Sequence, residues 1–439
     1  MEALTETERV LLRPLTNWSW RFKAFVGLLA GVVAWGVFAY VVQLNEGLVV
    51  TNMRDTVLWG VYIANFVFFI GISHVGALMS AILRLAGSEW RRPITRMAEA
   101  ITVCSLFVGA AMPIVDLGRP DRILNVLFYG RLQSAILWDF ISISTYLTGS
   151  ILFLYLFLIP DLALLRDKLT NVGKFRRWLY AKFALNWQGT RSQRHRLERP
   201  ISIMTVLILP IAISVHTVVS WIFAMTLRAG WNSTIFGPYF VAGALFSGVA
   251  SVLMAMALFT HFYKLESFIT KRHFRNLALI LLLLDIVYIY FTLNEYVTVS
   301  YKGTEGEAGL INALYGGDFA LMFWVIQFGG LLVPAFLLAL PGLNTWRIVV
   351  AATLVNVTMW LKRYLIVVST LATPQVPQPW GAYFPSWVEW SITAAAFAGF
   401  VLLFALFSRV FPIVSIWEVQ EGSEAPAPAP SPEKEEVAA

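Results

Sequence analysis

The chain has 439 residues, of which 58% are hydrophobic and only 13% charged, and a formal net charge of +7. Apolar runs of about 20 residues, the length that crosses a bilayer core, recur along it and exclude a soluble catalytic domain. With one cysteine, Cys104, the chain can form no internal disulfide and cannot hold an iron-sulfur cluster by several thiolates of its own.

The apolar runs are continuous rather than alternating, so they predict helices and an all-α integral membrane protein. Ten transmembrane helices are expected, at 24–44, 57–83, 97–115, 136–159, 201–225, 239–262, 277–296, 319–340, 348–368 and 390–411. Residues 1–23 read as a cytoplasmic segment; Glu2, Glu6 and Glu8 and the lack of a small-residue cleavage site argue against a removable signal peptide. The first span, 24–44, then stands as a flanking helix. Residues 57–227 group as a first four-helix bundle and 239–370 as a second, with 387–411 as the other flanking helix. Ten Lys and Arg lie between Pro160 and Pro200. With both termini in the cytoplasm, most basic residues fall on the inner side, as the positive-inside rule requires. The net charge therefore reads as membrane orientation and contact with the lipid bilayer, not as nucleic-acid binding. Segment 161–187 fits an amphipathic helix at the cytoplasmic interface or an ordinary basic loop. Residues 418–439, rich in Pro and Ala, predict a disordered cytoplasmic tail.

Polar groups inside hydrocarbon are costly, so each asks for a reason. In chain order the first is His74, in the second span. Asp116-Leu-Gly-Arg-Pro-Asp-Arg122 ends the third span, where Gly118 and Pro120 supply the helix stop and Asp116 with Arg119 either pair to close the helix or face a site. Asp139 opens the fourth span from the same side, as a first-turn carboxylate or a functional one. His216 lies in the outer half of the fifth. Each histidine is either an interhelical hydrogen bond or a proton acceptor, and a quinol that loses two electrons must also lose two protons. Asp285 and Tyr288 lie one turn apart in the seventh span, and Glu295 near its outer end. Lys362 and Arg363 interrupt the ninth, and an ion pair of Glu295 with one of them is the reading preferred for these three. Asp285 suits a hydrogen bond or a proton relay; Tyr288, Glu295, Lys362 and Arg363 complete the proton-path candidates. A b-type haem is the rival use of His74, His216 or His261, but three histidines on three spans cannot build a two-haem ladder. No metal site is expected.

The Asp116–Arg122 stretch after an apolar helix, with His74 in the preceding span, resembles the polysulfide-reductase anchor (NrfD-like) family of quinone-interacting membrane subunits. Ten spans and His216 resemble its longer branch, found in bacterial alternative complex III. The resemblance implies two four-helix bundles, with an outer quinol site in the first. It also matches His74 to the family's histidine on the first bundle helix and Asp116 to its acidic residue at the outer end of the second. Asp139 and His216 are added from position and chemistry. Smaller anchors follow the motif with a Ser-Pro-Met-Ser type stretch, whereas this chain reads Leu132-Gln-Ser-Ala-Ile-Leu-Trp138.

The resulting expectation is a quinol-oxidising subunit in the bacterial plasma membrane, catalytic only within a respiratory or photosynthetic complex. His74, Asp116, Asp139 and His216 would accept protons, and Arg119 and Arg122 would orient the carboxylates. The bound substrate would be quinol or quinone, menaquinone by resemblance, with no haem or iron-sulfur cluster in this chain. Electrons would leave to an iron-sulfur protein on the outer face. The resemblance further implies multihaem and monohaem cytochrome c subunits and a second, homologous NrfD-like membrane subunit. The rival classes are a secondary transporter, for which broken helices and repeated halves would be the signs and are not evident, and a purely structural anchor.

Overall fold

The computed structural model describes residues 4–169, 172–375 and 379–424. Among the described residues every regular element is helical, and nine helices are long and apolar enough to cross a membrane. We label α1 (Trp20–Glu46), α2 (Val61–Ser73), α3 (Arg92–Asp116), α4 (Ala135–Lys168), α5 (Arg191–Ala224), α6 (Phe236–Tyr263), α7 (Lys271–Lys302), α8 (Ala320–Ala339), α9 (Thr345–Ala372), α10 (Trp387–Val410) and α11 (Ile416–Glu424).

The exception to ten full spans is α2. The predicted helix over 57–83 is instead a 13-residue α-helix, then a widened π-helical turn at Ala77–Ile82 and a last short turn at Leu83–Leu85. The cause lies in neighbouring helices. The Ser73 carbonyl, which would serve the next turn, accepts from the hydroxyls of Thr102 (2.6 Å) and Tyr146 (2.9 Å). The Gly76 amide donates to Thr102 Oγ1 at 2.9 Å, and a Cβ at this glycine would stand 2.3 Å from that oxygen. Glycine is thus required for the close approach of α3. α8 is interrupted too, by a π-helical stretch over Val325–Leu332. Broken helices, which the apolar pattern alone does not reveal, are therefore present at two places.

α2 packs on α3, α4 on α5, and α3 on α4; α6 packs on α7 and α9, and α9 on α8. α6 also lies against α2 and α5, joining the two groups, while α1 and α10 run together as a flanking pair. Asn65 of α2 ties these parts: its carbonyl accepts from Trp360 Nε1 (2.8 Å) and its amide donates to Thr393 (3.0 Å). Outside the spans, Tyr383 accepts from the Val61 amide (2.9 Å) and donates to Glu389 Oε1 (2.5 Å), fixing the start of α2. Burial is the main reason its phenol is held well above the usual range.

At the other end, α4 runs on to Lys168, and a separate helix covers Lys174–Phe183. Asp161 is consequently inside α4 and fully buried instead of lying on an interfacial segment. The predicted tail is also corrected at its start. α11 is docked by the Asp161 carboxylate, which accepts from the amides of Ile416 (3.3 Å) and Trp417 (3.1 Å) at the helix N-terminus. Glu418 is buried and accepts from Arg91 (3.1 Å) and Thr95 (3.3 Å). Composition alone could not reveal this, because the bonds come from α3 and α4. The rest of the predicted tail, 425–439, lies outside the described residues.

Candidate functional site

The interruption of α2 delivers His74 into the middle of the first helix group. His74 Nδ1 faces the Ile70 carbonyl at 2.9 Å and Nε2 the Ala212 carbonyl of α5 at 2.7 Å. A neutral imidazole has one N–H, so only the doubly protonated ring can donate to both carbonyls. His216 sits one turn beyond Ala212 on α5, and its ring centroid lies 4.6 Å from that of His74, edge to face. Both histidines are buried, and neither His216 nitrogen has a hydrogen-bond partner among the described residues. A pair of imidazoles in contact, one anchored at both nitrogens and one with free nitrogens, is built to hold a proton or to meet a ligand hydroxyl.

The two carboxylates of the same group stand at shallower levels. Asp116, at the end of α3, has a buried Oδ1 without a hydrogen-bond partner among the described residues. Its electrostatic neighbours are Glu389 and Tyr62, and the Tyr62 hydroxyl donates to Gln43 (2.7 Å), which in turn donates to the Val115 carbonyl (2.7 Å). From Tyr62 to His74 is a little over three turns of α2, roughly 18 Å at 1.5 Å per residue. Asp139 is buried in the first turn of α4, its Oδ1 likewise without a hydrogen-bond partner among the described residues. It lies two turns, about 10 Å, from Tyr146, whose ring is 5.4 Å from His74. The chain thus brings the two histidines into contact and sets the two carboxylates outward of them.

Arg119 does not reach Asp116. Its guanidinium forms a two-bond pair with Asp121 (3.0 and 2.9 Å) on the surface, and that pairing holds the Asp121 carboxyl below its ordinary range. Arg122 is exposed. The expectation that these arginines orient the carboxylates is therefore corrected: Pro120–Arg122 forms a short helical turn that directs them outward.

The second group holds the other candidates, on one stripe of α7 and the facing sides of α6 and α9. Asp285 is fully buried with both oxygens unpartnered among the described residues. Tyr288, one turn on, packs against Tyr239 (4.7 Å between centroids), whose hydroxyl shares a 2.7 Å hydrogen bond with Thr292. Lys362 Nζ donates to Tyr296 (2.6 Å), and Glu295 accepts from Ser233 (2.7 Å). The predicted Glu295 ion pair with Lys362 or Arg363 is not formed, because hydroxyl partners take both charged groups. Tyr239, Glu295, Tyr296 and Lys362 line a cavity of ≈ 40 Å³, room for a few waters. Arg363 stacks over Phe240 (5.3 Å), and Phe240 lies 5.8 Å from His216, so the two groups meet there.

Sequence reading missed a third set. Arg96, Glu99 and Asp161 are buried at the α11 end of the bundle, with Arg96 3.1 Å from Asp161 and 3.9 Å from Glu99. Arg96 and Glu99 flank the point where the third apolar run begins, so both read as loop or helix end. Tyr146 carried a signal that could have been used, since it lies two turns from Asp139 on the same face of α4.

Fold and site together define a multi-pass, all-helical integral membrane protein with buried ionisable groups in two helix clusters. Residues 49–375 match the family described as Polysulphide reductase, NrfD, and the chain belongs to that family. Among curated proteins it is 27% identical, over 73% of its length and 71% of the relative's, to a candidate dimethyl sulfoxide reductase membrane subunit of Halobacterium salinarum. It is 22% identical to a selenate reductase subunit of Mesobacillus selenatarsenatis, covering 89% of this chain and 94% of the relative. It is also 22% identical to the Hdr-like menaquinol oxidoreductase integral membrane subunit of Archaeoglobus fulgidus, covering 91% and 96%.

Proposed function

We propose that this chain is the quinol-interacting membrane subunit of a multi-subunit respiratory oxidoreductase, and that quinol is oxidised at the His74–His216 pair. The observation that carries the reading is the contact of two buried imidazoles, one of them with neither nitrogen hydrogen-bonded among the described residues. Relatives named as subunits of reductases and of a menaquinol oxidoreductase support it, and the second makes menaquinol the substrate to test first.

Oxidation removes two electrons and two protons from the quinol. His216, whose nitrogens have no hydrogen-bond partner among the described residues, accepts the first proton from a quinol hydroxyl, and His74, bonded to two carbonyls, holds the neighbouring ring in place. Asp139 and then Asp116 stand outward of the pair and receive protons on the way to the outer surface. Electrons pass to an iron-sulfur or haem group of a partner on that surface. The finer assignment, an alternative complex III with multihaem cytochrome and a homologous membrane subunit, is part of this proposal. Asp285, Tyr288, Lys362 and Glu295 form its proton path through the second helix group.

The test is purification of the intact complex, identification of its subunits, and titration with a quinone-site inhibitor. An iron-sulfur subunit with a multihaem cytochrome, and inhibitor binding weakened by His216→Phe, are expected. A complex without redox subunits that binds no inhibitor would leave a structural anchor. The interrupted α2 and α8 give the transporter reading some footing, and solute uptake by the chain alone in liposomes would favour it.

A further inference from the structure

Between Asp167 and Glu198 the chain carries eight Lys and Arg and no carboxylate side chain. The helix in this stretch, Lys174–Phe183, is held to the bundle along one face. Tyr180 is fully buried there; its hydroxyl donates to the Val410 carbonyl at the end of α10 (2.6 Å) and accepts from Arg176 (2.7 Å), which also donates to the Leu15 carbonyl (3.0 Å). At the far end of the helix the Phe183 carbonyl accepts from Tyr155 of α4 (2.9 Å), and the two rings meet edge to face at 6.0 Å. Tyr155 lies roughly 20 Å along α4 from its Lys168 end, at 1.5 Å per residue. The helix therefore climbs beside α4 from the basic loop toward the hydrocarbon.

Its opposite face is uncovered among the described residues. Phe175 is 70% exposed and Trp178 52%, their rings stacked at 5.9 Å, and Lys182 Nζ lies 5.0 Å from the Trp178 ring. Side chains on a helix lean toward its N-terminus, so Lys182, one turn beyond Trp178, reaches back over the indole and sets its ammonium at the depth of that ring. Farther into the membrane, Leu152 shares a face of α4 with Tyr155 and is half exposed. Cation and indole first, aliphatic side chain deeper, is the order of a phospholipid from headgroup to tail. A protein partner suits this face less, because lysine is depleted at protein interfaces.

We propose that the Lys174–Phe183 helix binds an anionic phospholipid, with the phosphate on Lys182 beside Trp178 and an acyl chain along Leu152 of α4. Phe175 stacks on Trp178 and keeps the indole on that face. Arg176 takes no part, being bonded within the chain. A stretch with eight cations and no carboxylate side chain selects a lipid of net negative charge over a zwitterionic one. The site stands whether or not the histidine pair oxidises quinol.

The experiment uses the intact complex in nanodiscs of phosphatidylcholine mixed with phosphatidylglycerol, and reads the lipid that stays bound by native mass spectrometry. The parent should retain phosphatidylglycerol in preference to phosphatidylcholine. Lys182→Gln should lower that retention about fivefold, the weight of one basic side chain at an anionic surface. Trp178→Ser should lower it as well, and neither variant should shift the melting temperature in phosphatidylcholine alone. Arg196→Gln removes the same charge from an exposed position on α5 and should leave retention at the parent level. A photoreactive benzoylphenylalanine in place of Phe175 should cross-link to phospholipid. A cross-link to another subunit instead, equal retention of the two lipids by the parent, or equal losses in Lys182→Gln and Arg196→Gln would overturn the proposal.

Discussion

His74 and His216 meet with ring centroids 4.6 Å apart because the Ala212 carbonyl that holds His74 Nε2 ties α2 to α5 one turn from His216, while the Ile70 carbonyl of α2 itself holds Nδ1. The Ser73 carbonyl, claimed by Thr102 and Tyr146, breaks α2 where a histidine is needed at the interface. The site and the defect in the helix have one cause.

The depth order separates the carboxylates from the histidines in function. Asp116→Asn and Asp139→Asn should each lower quinol oxidation by about tenfold or less, below the effect of removing His216, since both act after the first transfer. Steady-state quinol turnover by the intact complex checks this. Either variant falling below His216→Phe would place the first proton acceptor at the rim.

Both oxygens of the Asp285 carboxylate, in the second group, lack a hydrogen-bond partner among the described residues. Asp285→Asn should leave quinol oxidation within about twofold and lower the number of protons moved per electron, measured in proteoliposomes with the whole complex. An unchanged stoichiometry would remove Asp285 from the path.

Glu418 is buried against Arg91 and Thr95, so Glu418→Ala leaves Arg91 without its carboxylate in a closed site. Breaking a buried pair from one side costs about 3–5 kcal/mol, and the variant should unfold at a clearly lower temperature and exchange α11 amides faster. An unchanged melting temperature would mean that α11 is loosely held.

The Arg119–Asp121 pair is exposed on both sides. Asp121 is held below its ordinary range, so any stability it lends is present at neutral pH and is lost as pH falls through the acid range. Solvent screens such a pair, and Arg119→Gln should therefore change neither acid stability nor quinol turnover measurably. A turnover loss beyond about twofold would show that Arg119 serves a partner or substrate.

Much of the fold was legible because hydrocarbon demands long apolar helices, and α1, α3 through α7, α9 and α10 follow that rule without a break. α2 and α8 escaped it, since their interruptions depend on side chains from other helices. Similar reasoning explains the site. His74 and His216 stood out as isolated polar residues in apolar runs, but only packing puts their rings together. Glu99 and Asp161 were hidden because they lie at the ends of the apolar runs, where charge is ordinary; Glu418, beyond the last span, was read as tail. The Glu295–Lys362 pair failed because Ser233 and Tyr296 offered closer partners.

The central claim is that the histidine pair takes the proton from quinol. Its most direct test is quinol oxidation by the assembled complex carrying His216→Phe, with subunit content and inhibitor-free stability matched to the parent. A fall of about a hundredfold or more, as removal of a general base produces, is the predicted result. Parental turnover in the fully assembled variant would contradict the account.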